Sequence, residues 1–577
     1  MNDRMTRCGR MPAATLALVL TLAGCAARED TQEPARTGQD SSPTEQEIVV
    51  MAMRREERQD LPAILEADAA NDQTVAGRAP PAAKLRRERV AGVASPGYVP
   101  DAWRHAVEPL DRENYAHLDP NPVRLVNEDP VSTFSIDVDT GAYTNVRRML
   151  NEGRLPPADA VRVEELINYF DYAYPVPAST QRPFSVNTEL AAAPWNADRL
   201  LLQIGIKGYE VPAADRPPAN LVFLIDVSGS MNDPRKLPLL KQSMKLLARQ
   251  LKPEDRVSMV VYAGAAGVVL QPTPGNRQAE ILAALDRLQA GGSTNGAGGI
   301  RAAYQLARQA FVPEGINRIL LATDGDFNVG TVDFESLVDL VEREREGGVS
   351  LTTLGFGTGN YNDHLVEQLA DAGNGNYAYI DNLNEGRKVL VDQVGSTLQT
   401  IAKDVKIQVE FNPAVVAEYR LIGYENRMLR REDFNNDQID AGEIGAGHTV
   451  TALYELTLTD SPARLVDPLR YGASEPAVRG RASEAAFVRL RYKAPDGDVS
   501  QLIERPVRVS EVAGTPSDEL RFAASVAAFG ERLRGGDYLG DYQYGDRELV
   551  QYDQFLDDLQ HRRVVLPRLR LSRHRVV

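Results

Sequence analysis

Between Asn220 and Ala402 the chain alternates two kinds of apolar pattern. Leu221-Val222-Phe223-Leu224-Ile225 is an unbroken apolar run, as expected of a strand covered on both faces of a parallel sheet. Comparable runs recur at Val257–Ala263, Arg318–Ala322, Ser350–Phe356 and Tyr377–Ile380. Between them apolar residues fall at helical spacing: Leu237, Leu240, Met244, Leu247 and Leu251; then Ile281, Leu285 and Leu288; then Phe334, Leu337, Leu340 and Val341. Strand, helix, strand, repeated, predicts an α/β domain with a doubly wound sheet. On both sides of it the period changes to two. Leu200, Leu202, Ile204 and Ile206 stand just before it; Val405, Ile407, Val409 and Phe411 stand just after. Strands that bracket an inserted domain emerge close together, so both flanks are expected to join one β-sandwich.

The 577 residues leave room for about four domains at roughly 150 residues each. Acidic residues number 81 against 65 Lys plus Arg, a net charge of −16. That balance excludes nucleic acid as the general partner, because phosphate binding needs a basic face that releases counterions. The two cysteines, Cys8 and Cys25, both lie near the N-terminus, which excludes a disulfide framework and a cysteine metal cluster. The six histidines never stand at HExxH spacing, so a zincin is excluded as well.

Residues 1–24 read as an export signal. Arg4, Arg7 and Arg10 precede a mostly apolar stretch, Met11 to Ala23, that is shorter than the ~20 residues a bilayer span requires. Leu22-Ala23-Gly24-Cys25 resembles a bacterial lipobox, which implies cleavage before Cys25 and acylation of its thiol and new amine. The alternative is an ordinary secreted protein with a chance cysteine. Two or more acyl chains hold a membrane stably where one does so marginally. By the same resemblance, Ala26 rather than Asp favours the outer membrane, facing the periplasm or the surface.

Residues 25–112 are rich in Ala, Pro, Arg, Glu and Asp with little apolar periodicity, and are expected to form a disordered tether reaching roughly 50 Å. One island, Glu47 to Arg58 with Ile48-Val49-Val50, resembles the N-terminal segment by which outer-membrane receptors add a strand to the TonB periplasmic domain. A stray apolar patch in a linker is the plainer reading and is preferred.

In doubly wound sheets ligands bind beyond the carboxyl ends of the strands. There the first strand runs into Asp226-Val227-Ser228-Gly229-Ser230, a loop reads Gly291-Gly292-Ser293-Thr294-Asn295, and a later strand ends Thr323-Asp324. Three hydroxyls and two carboxylates, with no imidazole or thiolate, form a hard-oxygen set suited to Mg2+, Mn2+ or Ca2+ and unsuited to zinc. This constellation resembles the von Willebrand factor type A (VWA) domain and its metal-ion-dependent adhesion site. The resemblance places the DxSxS motif on Asp226, Ser228 and Ser230, the loop threonine on Thr294 and the later aspartate on Asp324. It implies an ion held by these five residues, with a coordination position open to an Asp or Glu of a partner protein, and no substrate turnover. Asp326 and Asn328 stand at the rim; solvation or capping of the next helix is the preferred role for Asp326.

Further stretches resemble the flanking modules of a family of bacterial VWA lipoproteins. Thr133–Arg148 and Val161–Phe170 look like its N-terminal module, and Leu421–Arg427 and Gly447–Glu455 like its C-terminal one. The expected organisation is signal peptide 1–24, tether 25–112, N-terminal module 113–216, VWA domain 217–402 and C-terminal module 403–577. Two motifs are read as decoys. Asp433 to Asp440 imitates a calcium loop, but its sixth position is Gln438 instead of Gly and no closing Glu follows at the required spacing, so a surface turn is expected. Asp137 and Asp139 imitate a strand-end carboxylate pair and are expected to cap the helix that follows. The basic tail, His561 to Val577, departs from the family's ending. It is read as a frayed solvated end, contact with anionic lipid being the alternative.

Two functions fit. In the first, a tethered envelope lipoprotein captures a partner's carboxylate through the VWA ion. In the second, an envelope assembly or scaffold factor keeps a structural ion while its flanks bind the partner. Asp226→Ala separates them, since it disables capture only in the first. An enzyme is not expected: the chain has no P-loop, no GxSxG and no plausible triad, and Gly355-Phe356-Gly357-Thr358-Gly359 lacks the spacing of a dinucleotide loop.

Overall fold

The computed structural model describes residues 113–179, 181–325, 334–359, 361–467, 483–540 and 542. The expected signal peptide 1–24, Cys25, the tether 25–112 with its 47–58 island, Asp326, Asn328 and the basic tail 561–577 lie outside the described residues.

The N-terminal flank supplies β1 (Arg124–Leu125), β2 (Val131–Ser135), α1 (Gly141–Asn151), α2 (Val163–Asn168), β3 (Phe184–Ala193) and β4 (Asn196–Gly208). The central domain runs β5 (Ala219–Asp226), α3 (Leu237–Ala248), β6 (Arg256–Tyr262), β7 (Ala266–Pro274), α4 (Gln278–Arg287), α5 (Gly296–Gln309) and β8 (Ile316–Thr323), then α6 (Phe334–Arg345), β9 (Ser350–Phe356), α7 (Asp363–Ala372), β10 (Tyr377–Ile380), α8 (Leu383–Arg387) and α9 (Val394–Leu398). The C-terminal flank adds β11 (Thr400–Phe411), β12 (Val416–Ile422), β13 (Ile444–Gly445), β14 (Thr449–Leu458), β15 (Glu484–Lys493), β16 (Gln501–Arg508) and α10 (Asp518–Arg534).

The central sheet has the order β10-β9-β8-β5-β6-β7. β5 lies parallel to both β6 and β8, and β8, β9 and β10 continue in parallel. Every residue of β5 is buried, because the sheet is covered on both faces. Alternate side chains divide between the two layers. Leu221, Phe223 and Ile225 pack with Leu240, Met244 and Leu285 of α3 and α4. Val222 and Leu224 pack with Ile300, Tyr304 and Leu337 of α5 and α6. The doubly wound architecture is therefore as expected, with one addition. β7 pairs antiparallel with β6 at the edge, where Pro272 and Pro274 are tolerated and where its exposed residues hide its strand character in the sequence.

Both flanks build one sandwich. One sheet has the order β1-β12-β14-β4-β3; the other runs β13-β11-β15-β16, with β2 also paired to β11. Each sheet contains strands from both before and after the central domain. The two bracketing strands, β4 and β11, sit in opposite sheets and bury their period-two faces together: Leu202, Ile204 and Ile206 against Val405, Ile407, Val409 and Phe411. A further cluster joins Val146, Leu166, Ala527 and Leu453 of α1, α2, α10 and β14.

Charged groups are buried where the three parts meet, and here one expectation is corrected. Asp137 and Asp139 do not cap α1. Its N-cap, Thr140, makes no side-chain cap bond, and the Ala142 N–H is instead taken by Glu165 Oε2 at 2.7 Å. Asp137 and Asp139 accept from Arg427 at 3.2 and 3.0 Å, and Asp139 also accepts from Tyr377 N at 2.7 Å. Burying a carboxylate without a partner is costly, so these acids serve the long-range contact. The calcium-loop decoy is a turn, as expected. Asp433 accepts from Arg430 N, Asn436 from Gln438 N, and Asp440 from Arg345. Among the described residues, no helix is long and apolar enough to cross a membrane.

Candidate functional site

β5 delivers Asp226 to the carboxyl edge of the central sheet, where its side chain is fully buried. The chain then turns through one 3-10 turn, Gly229–Met231, with Ser228 as its N-cap residue. Asp226 Oδ1 accepts the Ser228 N–H at 2.8 Å and so folds the loop back on itself. Ser228 Oγ and Ser230 Oγ consequently stand 3.0 Å apart. Ser228 is buried and Ser230 half-buried.

The second loop is held against the first by backbone bonds. Gly291 N donates to Val227 O at 2.7 Å, and Gly229 N to Gly292 O at 3.0 Å. Half-buried Thr294 lies two residues beyond this clasp. Asn295 then caps α5, its side chain accepting from Gly298 N. α5 comes close to β6 because Gly299 has no side chain: a Cβ there would meet Tyr262 at 2.9 Å.

Asp324 follows β8 directly and is fully buried. Burial raises the Asp226 carboxyl to about 6. The Ser228 N–H opposes this, and the nearby Asp324 charge adds to it. The structure thus brings Asp226, Ser228, Ser230 and Asp324 to one rim and sets the Thr294 loop against it. Among the described residues, no group of three or more His, Cys, Asp or Glu could hold a metal ion by itself, so any cation here depends on hydroxyl oxygens too.

Three neighbours escaped the sequence reading. Thr323 Oγ1 donates to Asp226 Oδ2 at 3.1 Å and accepts from Gly325 N at 3.0 Å, fixing Asp226 and the backbone turn that follows Asp324. The Lys236 ammonium lies 2.9 Å from Asp324 Oδ2 and is almost fully buried. Its stem crosses Gly357, whose φ is +83° and where a Cβ would come within 2.3 Å of the lysine chain. A lysine before a helix and a glycine after a strand carry no individual signal; only the fold joins them. The loop rejected as a dinucleotide site thus clasps Lys236, and its Gly359 N–H donates to Glu113 at 3.0 Å.

The comparisons agree with this architecture. The von Willebrand factor type A domain family matches residues 220–392, the family described as von Willebrand factor matches 109–203, and the family described as uncharacterized protein YfbK, C-terminal, matches 396–571. Uncharacterized protein YfbK of Escherichia coli K12 is 46% identical over 492 residues, covering 84% of this chain and 82% of that protein. Uncharacterized protein sll0103 of Synechocystis is 29% identical over 195 residues, 34% of this chain and 45% of that protein. Among solved structures, a von Willebrand factor type A protein from Catenulispora acidiphila is 18% identical with a TM-score of 0.36, covering 59% of this chain and 75% of that one. The mussel byssus proximal thread matrix protein 1, solved with a zinc-occupied MIDAS motif, is 22% identical with a TM-score of 0.26, covering 33% of this chain and 47% of that one. The relative matched over most of both chains, with the matches on the central domain and both flanks, places this chain in the YfbK family of VWA-domain proteins.

Proposed function

We propose that the chain is a non-enzymatic binding module, held at the cell envelope by a lipid on Cys25, which captures a partner protein's carboxylate through a divalent ion. Asp226, Ser228, Ser230, Thr294 and Asp324 would hold the ion. The donor set fits, because it consists of hard oxygens without nitrogen or sulfur. Lys236 Nζ lies 2.9 Å from Asp324 Oδ2, so an ion held there would share that carboxylate with the ammonium. One observation carries the reading. Two buried carboxylates and two hydroxyls converge at the carboxyl edge of the sheet, where doubly wound folds bind ligands.

A Mg2+ ion held there, or Mn2+ or Ca2+, supplies a Lewis-acidic position for an Asp or Glu oxygen. The chain's own part is orientation. Ser228 N–H and Thr323 Oγ1 each engage one oxygen of Asp226, which keeps its carboxylate from turning away from the rim. Crosslinking pull-down from envelopes tests the reading, comparing wild type with Asp226→Ala, with and without chelator. A catch lost with either treatment is expected. An identical catch in all conditions would leave the scaffold function, with partner binding by the flanks.

A further inference from the structure

We propose that Lys236 sets the charge of the ion site, lowering its affinity for divalent ions while making the loaded site selective for carboxylates. The inference rests on the ion-binding reading and assigns Lys236 a role that reading does not need.

The geometry supplies the reason. Lys236 Nζ lies 2.9 Å from Asp324 Oδ2. Its side chain is 7% exposed and that of Asp324 is 0% exposed, so their interaction is little screened by water. The stem is fixed by Gly357, which leaves space for it only because it lacks a Cβ. Arg235, the adjacent cation, is exposed and directed to Glu152 and Asp233, so Lys236 alone of the two is committed to Asp324.

Charge counting then gives two opposed effects. Asp226, Asp324 and Lys236 together carry one negative charge. With a divalent ion held, the same ring carries one positive charge, and a partner's carboxylate brings it to neutrality. Without the ammonium the ring starts doubly negative, attracts the ion more strongly, and becomes neutral once loaded. A neutral loaded ring then gains little by taking a further carboxylate in place of water or a carbonyl. Lys236 thus exchanges ion affinity for anion capture. A merely structural lysine would not move the two quantities in opposite directions.

The test uses the full chain, Mn2+ as the ion and acetate as the carboxylate, read by calorimetric titration. Lys236→Met should bind Mn2+ at least about tenfold tighter than wild type. Acetate should raise apparent Mn2+ affinity in wild type and in Lys236→Arg, and do so much less in Lys236→Met. Lys236→Gln carries the same expectation as Met and replaces it if circular dichroism shows that variant unfolded. Mn2+ binding equal to or weaker than wild type in the neutral variants would overturn the role of Lys236 while leaving the ion site intact. Wild type that fails to bind Mn2+ at all, like Asp226→Ala, would overturn the ion reading itself and this inference with it.

Discussion

Arg427 Nε stands 3.2 Å from Asp137 Oδ2, joining residues 290 positions apart in the chain. The same guanidinium meets Asp139 at 3.0 Å and reaches Glu367 of the VWA helix α7 at 3.3 Å. One C-terminal side chain therefore ties both other parts of the fold together. Buried ion networks contribute little over an apolar replacement but are costly to break on one side. Arg427→Met should lower stability by about 3–5 kcal/mol, seen as a lower urea midpoint with an unchanged slope. A midpoint like that of wild type would mean these carboxylates need no counter-charge.

Glu164 on α2 gives a pH dependence. Burial, followed by the neighbouring Glu425 and Asp137, pushes its carboxyl from 4.5 up to about 8. Between those values the folded protein binds more protons than the unfolded one. This contribution to stability is complete below the lower value, is lost as pH rises, and levels off above the higher one. Its slope is roughly 1.4 kcal/mol per pH unit. Glu164→Gln should remove it, so urea midpoints of wild type and variant diverge toward alkaline pH with the variant the more stable. Parallel curves would show that Glu164 is not the titrating group.

Gly357 is required twice, by its φ of +83° and by the Lys236 stem beneath it. Gly357→Ala should cost about 1–3 kcal/mol in thermal denaturation. In a Lys236→Ala background the steric part disappears and only the backbone part remains, so a double-mutant cycle should show clear coupling. Additive effects would place the lysine elsewhere.

A cut between the flanks should not separate them. β14 pairs with β4 from Thr449↔Lys207 to Leu456↔Leu200, and β11 pairs with β2 from Lys406↔Ser135 to Glu410↔Val131. Cleavage at a protease site engineered between 209 and 218 should leave the native elution volume on size exclusion unchanged. Fragments should part only in denaturant. Separation under native conditions would contradict a shared core.

Much of this protein could be read along the chain because its signals are local. The run Leu221–Ile225 is apolar throughout because both faces of its strand are covered, and Asp226, Ser228 and Ser230 lie within one turn of that strand's end. The period-two runs around Leu202 and Val409 already pointed to a shared sandwich, since an insertion returns the chain near its starting point. Tertiary structure alone decided the rest. Lys236 and Asp324 are 88 positions apart, and their contact depends on how α3 is seated against β8 and β9. Asp137 and Asp139 looked like helix caps because capping is a short-range pattern, whereas their partner Arg427 is close only in space. β7 was missed because an edge strand needs only one paired side and can therefore carry Gly267, Pro272 and Pro274. Periodicity follows from burial, which is written residue by residue. The matching of charges follows from packing, which is not.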